Sequence, residues 1–103
     1  MTHTLYSPFD MHIHFRQNEM LRAIAPLSGY SFSGGVIMPN CIPPIDSAEL
    51  LADYTEQVNN ALGALDFTPF MTLFFRNYSE KELAEIKDSI IGIKLYPAGA
   101  TTN

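Results

Sequence analysis

Ile90-Ile91-Gly92-Ile93-Lys94-Leu95-Tyr96 is the stretch on which the fold turns. It is an apolar run without polar alternation, the pattern of a strand buried on both faces in a parallel sheet flanked by helices. Working back from it, Phe67 to Phe75 is rich in Phe and Thr without helical period and reads as the preceding strand. Ser33-Gly34-Gly35-Val36-Ile37-Met38 is a short apolar run ended by Pro39-Asn40, and Cys41-Ile42-Pro43-Pro44 excludes a helix interior there. Tyr6 to Phe15 supplies the first strand. Between these lie helical patterns. Met20, Leu21, Ile24, Ala25 and Leu27 recur at helical spacing over Asn18 to Ser28, with Gly29 as the expected stop. Asp46-Ser47-Ala48-Glu49 has the spacing of a capping box, and Leu50, Leu51, Tyr54, Val58 and Leu62 form one apolar stripe up to Gly63. Ser79 with Glu82 caps a third helix, whose inner face is Leu83 and Ile86.

The order βαβαβαβ specifies an α/β fold of parallel strands joined by right-handed crossovers. Strands one to four are half of what a closed (β/α)8 TIM barrel of ~250 residues requires. Either the sheet is open or the chain is the amino-terminal half of such a barrel. An open sheet of this length leaves both edges exposed, and the size and edge arguments favour the half barrel. No repeat, low-complexity run or linker interrupts residues 1–103, so no internal domain boundary is expected.

The 103 residues are 47% hydrophobic and 17% charged, the composition of globular material. A formal charge of -5 disfavours nucleic acid, which needs clustered Lys and Arg. A small-molecule partner fits better. The single Cys41 excludes an internal disulfide, no signal-peptide pattern opens the chain, and no apolar run is long enough for a membrane span. A reducing, cytoplasmic setting is the expectation.

In parallel α/β layouts ligands gather at the carboxyl ends of the strands, where this chain places its polar residues. His12 and His14 in Asp10-Met11-His12-Ile13-His14-Phe15-Arg16 share a strand face at about 6.5 to 7 Å between Cα atoms, so both imidazoles can reach one ion. The ordinary alternative for such a pair is a structural or surface role. Asp10 can orient an imidazole through its other N–H, or pair with Lys94. Lys94 lies in the apolar run, where an unpaired ammonium is costly. A salt bridge, with Asp10 the candidate, is one solution. The other is a depressed amine pKa that lets the neutral amine add carbon dioxide, giving a carbamate able to bridge two cations. Arg16 and Asn40, on the loops after strands one and two, can hold a substrate carboxylate by charge-assisted hydrogen bonds; alone, each also passes as surface polarity or turn chemistry. Arg76 reads as a solvated loop charge, His3 as part of a frayed terminus, and Cys41 as an inert thiol.

Taken together, His12-Ile13-His14-Phe15-Arg16, Val36-Ile37-Met38-Pro39-Asn40, Phe67-Thr68-Pro69 and Lys94-Leu95-Tyr96-Pro97-Ala98 with Ala100-Thr101-Thr102-Asn103 resemble the amino-terminal part of the dihydroorotases, in particular the shorter bacterial type within the amidohydrolase superfamily. The resemblance runs from about Phe9 to Asn103. It implies a partial metal-dependent hydrolase barrel with two zinc ions per complete site. In it His12 and His14 bind the more buried zinc, Lys94 is a carboxylated lysine bridging both, and Arg16 with Asn40 grips the substrate carboxylate. The implied reaction interconverts N-carbamoyl-L-aspartate and L-dihydroorotate in pyrimidine biosynthesis, and the complete protein is expected to be a homodimer. The family's two further His ligands, its catalytic Asp, a second carboxylate-binding Arg and a substrate loop would follow Asn103. Gln17-Asn18 stands where the family often has Asp-Gly, and Gly99 where it often has Asn.

Two other readings remain open. One is a metal-dependent phosphoesterase barrel with a similar first strand, against which Lys94 speaks because a carboxylate commonly occupies that bridging position. The other is a non-catalytic domain that binds a partner through its open sheet edge.

Overall fold

The structure is a computed structural model and describes residues 1–97. The Ala-Thr-Thr-Asn end of the last motif lies outside the described residues. Seven elements follow in the expected order: β1 (Phe9–Ile13), α1 (Asn18–Ser31), β2 (Gly34–Ile37), α2 (Ala48–Leu62), β3 (Thr68–Phe74), α3 (Glu80–Ile86) and β4 (Gly92–Lys94). The strands lie in sequence order in one four-stranded sheet. Every neighbouring pair is parallel. This is the curled α/β half of a TIM barrel.

Alternation along the strands sorts the side chains to two faces. Ile13, Ile37, Met71 and Leu73 face the helices and join Leu21, Ala25, Leu51, Tyr54, Val58, Leu62 and Ile86 in the core. Val36, Met38 and Thr72 are buried on the opposite, concave face. All three helices therefore serve one face of the sheet.

The local signals are partly displaced. α1 does not stop at Gly29 but runs through Pro26 and Gly29 to Ser31. Gly29 serves packing instead: a Cβ there would stand 2.7 Å from Leu65 Cδ1. α2 is capped one residue later than the Asp46–Glu49 spacing suggested, with Ser47 Oγ accepting from the Leu50 N–H at 3.1 Å. It ends at Gly63, whose φ of 58° lies in the left-handed region. The α3 capping box forms in both directions: Ser79 Oγ accepts from the Glu82 N–H at 3.2 Å, and Glu82 Oε2 from the Ser79 N–H at 2.8 Å. Of its inner face, Ile86 is buried but Leu83 is exposed.

The largest departure concerns the run that set the fold. β4 is a strand of three residues, and Ile91, Ile93 and Leu95 are exposed, so it is not covered on both faces. The fully buried strand is β2, paired on both sides. β4 stands at the sheet edge, and Ile93, in register with Leu73, is exposed and lines a hollow of about 290 Å³ with Leu83 and Ile86 of α3.

Candidate active site

His12 lies on β1 and His14 just after it, and the ladder of β1 with β2 slips between Asp10 and Ile13. Asp10 pairs with Gly35 and Ile13 with Ile37, so three steps on β1 match two on β2. The slip breaks the alternation. Asp10 therefore does not reach the His12 ring: its Oδ1 accepts from the His12 backbone N–H at 3.0 Å. The two imidazoles nonetheless converge as expected, with His12 Nε2 and His14 Nε2 3.0 Å apart and one donating to the other according to tautomer. Two nitrogens bonded to one tetrahedral ion at about 2.0 to 2.1 Å stand about 3.3 Å apart, so an opening of a few tenths of an ångström would let the pair hold a metal. Among the described residues no third His, Cys, Asp or Glu completes the set.

The expected Asp10–Lys94 pair does not form. Lys94 Nζ donates instead to Asn40 Oδ1 at 2.5 Å and lies 4.8 Å from the centroid of the Tyr96 ring. Asn40 is 2% exposed and sits at the centre of the rim. Its carbonyl accepts from the Arg16 guanidinium at 3.4 Å, so one residue joins the loops after β1 and β2 to the end of β4. Two buried polar atoms here have no partner among the described residues: Asn40 Nδ2 and His14 Nδ1. Such atoms ordinarily find one, so the rim is built to receive further polar groups.

The rim is cationic in an acidic chain. Burial pushes the Lys94 amine below its ordinary pKa, and Arg16 adds to the effect. His14 is lowered too, by burial first and then by Lys94, Arg16 and His12. Both groups are thereby moved toward their neutral forms, which are the forms that bind metals or add carbon dioxide. Two concavities are lined by residues of this rim. One of about 370 Å³ is lined by His12, Val36, Met38, Thr72 and Lys94. The other, of about 490 Å³, is lined by Arg16, Gln17, Asn40 and Cys41. A larger hollow of about 880 Å³ between α2, β3 and α3 has no comparable convergence of polar groups.

Several contributors were not visible as such in the sequence. Tyr54, counted only in the apolar stripe of α2, donates its hydroxyl to the Arg16 carbonyl at 2.7 Å. Gln17 Oε1 accepts from the Ile42 N–H at 2.9 Å and ties the first two loops together. Arg76 is no solvated charge: it donates to the Asp46 carbonyl at 2.8 Å and to Glu82 at 2.7 Å, and stacks 4.1 Å over Tyr78. A tyrosine in a buried stripe is itself a signal, because its hydroxyl must find an acceptor. Cys41 is as expected, buried, with its thiol pKa raised by burial.

Fold and rim define a class: the amino-terminal half of a TIM-type α/β barrel with its polar side chains at the carboxyl ends of the strands. No protein-family model matches the chain. Curated dihydroorotases do. That of Shewanella sediminis is 40% identical over 97% of this chain and 30% of its own length. That of Pseudoalteromonas atlantica is 41% identical over the same shares. The crystal structure of the Campylobacter jejuni dihydroorotase matches with a TM-score of 0.90 at 56% identity, covering 94% of this chain and 29% of that one. The Saccharomyces cerevisiae dihydroorotase in complex with 5-fluoroorotic acid matches at 0.82 with 29% identity, over 92% of this chain and 27% of that one. The resemblance to the dihydroorotases carried by the motifs is thus borne out, and the chain spans about 30% of the length of the curated relatives it matches. No helix among the described residues is long and apolar enough to cross a membrane.

Proposed function

We propose that this chain forms the metal-binding front of a dinuclear zinc dihydroorotase that interconverts N-carbamoyl-L-aspartate and L-dihydroorotate. The observation that carries the reading is the convergence of the His12 and His14 Nε2 atoms on the rim that also holds Lys94, Asn40 and Arg16. His12 and His14 would hold one ion, and Lys94, once carboxylated, would bridge it to a second. Two bound zinc ions lower the pKa of water and polarise an amide carbonyl. The chain's own part is to hold and orient. Arg16 would present a guanidinium to the substrate carboxylate, and Asn40 Nδ2, without a partner among the described residues, would offer a second donor beside it. The Arg16 guanidinium, a permanent cation on a chain of charge -5, favours an anionic substrate at this spot. The acid bound by the yeast relative, 5-fluoroorotic acid, has that character. Residues 1–103 would form one undivided part of the barrel, in a cytoplasmic homodimer that has no nucleic-acid or membrane partner.

The test is hydrolysis of L-dihydroorotate by the complete gene product, with metal content measured in parallel. Activity should vanish on chelation and return with zinc. Lys94→Ala should lower turnover more than about 100-fold and reduce bound metal, because loss of a bridging ligand exceeds the 10–100-fold cost of losing an outer-shell partner. Normal turnover and metal content in that variant would exclude the carbamate role.

A further inference from the structure

We propose that Tyr54 is a positioning residue for Arg16, fixing the backbone from which the guanidinium reaches the substrate carboxylate. The nature of that carboxylate rests on the dihydroorotase reading above; the contact itself rests on geometry alone. Tyr54 is 2% exposed, in the middle of α2, and its one polar atom donates to the Arg16 carbonyl at 2.7 Å. That carbonyl belongs to a residue held at φ 59°, in the left-handed region that side chains other than glycine seldom occupy. Such a conformation persists only where the surroundings over-determine it. The other side-chain donor to the same oxygen is the Cys41 thiol at 3.9 Å, a far weaker restraint. Among the described residues the guanidinium has only a long contact, 3.4 Å to the Asn40 carbonyl, so its placement depends on where the backbone starts it. Burial raises the Tyr54 pKa, which keeps the hydroxyl protonated and a donor.

Without the hydroxyl, the Arg16 carbonyl loses its short donor and the backbone is free to relax toward the extended region, carrying the guanidinium off the Asn40 side. Tyr54→Phe deletes one oxygen and leaves the ring in the core, so the fold is retained. In the complete gene product this variant should raise KM for L-dihydroorotate about tenfold and leave kcat within about twofold, since a carboxylate clamp acts on ground and transition states alike. Binding of dihydrouracil, which has the ring without the carboxylate, should be unchanged. A merely structural Tyr54 would lower thermal stability and the active fraction without moving KM. An unchanged KM overturns the proposal, as does an equal weakening of dihydroorotate and dihydrouracil. A crystal structure of Y54F decides the contact independently of substrate: Arg16 still at a left-handed φ with its guanidinium beside Asn40 overturns it, and a displaced Arg16 upholds it. If the wild-type protein hydrolyses no dihydroorotate, the substrate reading fails and the crystallographic result still decides the positioning.

Discussion

Replacing Gly35 by Ala tests whether the approach of β1 to β2 sets the histidine geometry. A methyl on Gly35 would stand 2.8 Å from the Asp10 carbonyl oxygen and 3.2 Å from Phe67 Cζ, and would overlap Ile13 Cδ1. Ordinary contact begins near 3.4 Å, so the carbonyl must retreat by about 0.6 Å. It is backbone, and it belongs to the segment where β1 slips against β2, two residues before His12. Overpacking of this kind costs about 1–3 kcal/mol, partly offset by the ~0.4–1 kcal/mol that alanine contributes by restricting the unfolded chain. The net expectation is a loss of about 1–2 kcal/mol in urea unfolding of the complete gene product. The metal consequence is sharper, because ligand distances tolerate only about ±0.2 Å. A shift three times that size should weaken zinc about 10–100-fold in competition with a chelator, the range seen when ligand orientation is disturbed. A G35A protein that binds zinc as tightly as wild type would refute the coupling of the slip to the site. One that also unfolds at the wild-type urea midpoint would refute the steric argument itself.

Gly63→Ala is the matched control: at φ 58° a Cβ is strained by about 1 kcal/mol, but the site is the end of α2, so unfolding should weaken while zinc affinity stays constant. Glu82 is held down from 4.5 to about 2, by the Arg76 side chain first and the Ser79 backbone next. A depressed carboxylate contributes stability that is complete above its unfolded pKa and is lost as pH falls through the folded one. Glu82→Gln should therefore flatten the fall in unfolding midpoint between pH 4.5 and 2; an unaltered slope would show the pairing to be idle. Cys41, 4% exposed with a raised pKa, should react with iodoacetamide at pH 7 at least about tenfold more slowly than in denaturant. Equal rates would place the thiol in solvent.

What could be read from the sequence follows the range of the interactions involved. Periods of 2 and 3.6 are local, so the element order and the stripe Leu51, Tyr54, Val58 and Leu62 were legible, as was the Ser79–Glu82 box. Covering of a strand is not local. Ile90 to Tyr96 has the composition of a central strand, yet β4 is at the edge of this sheet and its faces are exposed among the described residues. The His12–His14 convergence was legible because it needs nothing beyond strand geometry. Asp10 was misread because β1 slips against β2 between Asp10 and Ile13, a feature of the pairing across the ladder that no spacing within β1 announces. Lys94 was rightly expected to need a partner. That the partner is Asn40, 54 residues away in sequence, follows from strand order rather than from composition.

One regularity ties these particulars to function. Backbone pairing runs out at the carboxyl ends of parallel strands, where ligands must approach, and the carbonyls there need other donors. After β1 the Arg16 carbonyl takes the Tyr54 hydroxyl at 2.7 Å. At the end of β2 the Ile37 carbonyl takes Thr72 Oγ1 at 2.6 Å, and at the end of β3 the Phe74 carbonyl takes the Tyr78 hydroxyl at 2.6 Å. Three successive strand ends are thus fixed by side-chain hydroxyls, none of which is a candidate ligand. Arg76 extends the pattern to the loop before α2 by holding the Asp46 carbonyl. The polar rim is therefore shaped before any ligand arrives, which is the condition for placing imidazoles and a guanidinium within the narrow tolerances that metal and carboxylate binding demand. Removing a hydroxyl from this set should loosen geometry at its own strand end and leave the core intact, because each donor satisfies one carbonyl while its carbon skeleton goes on packing where it did.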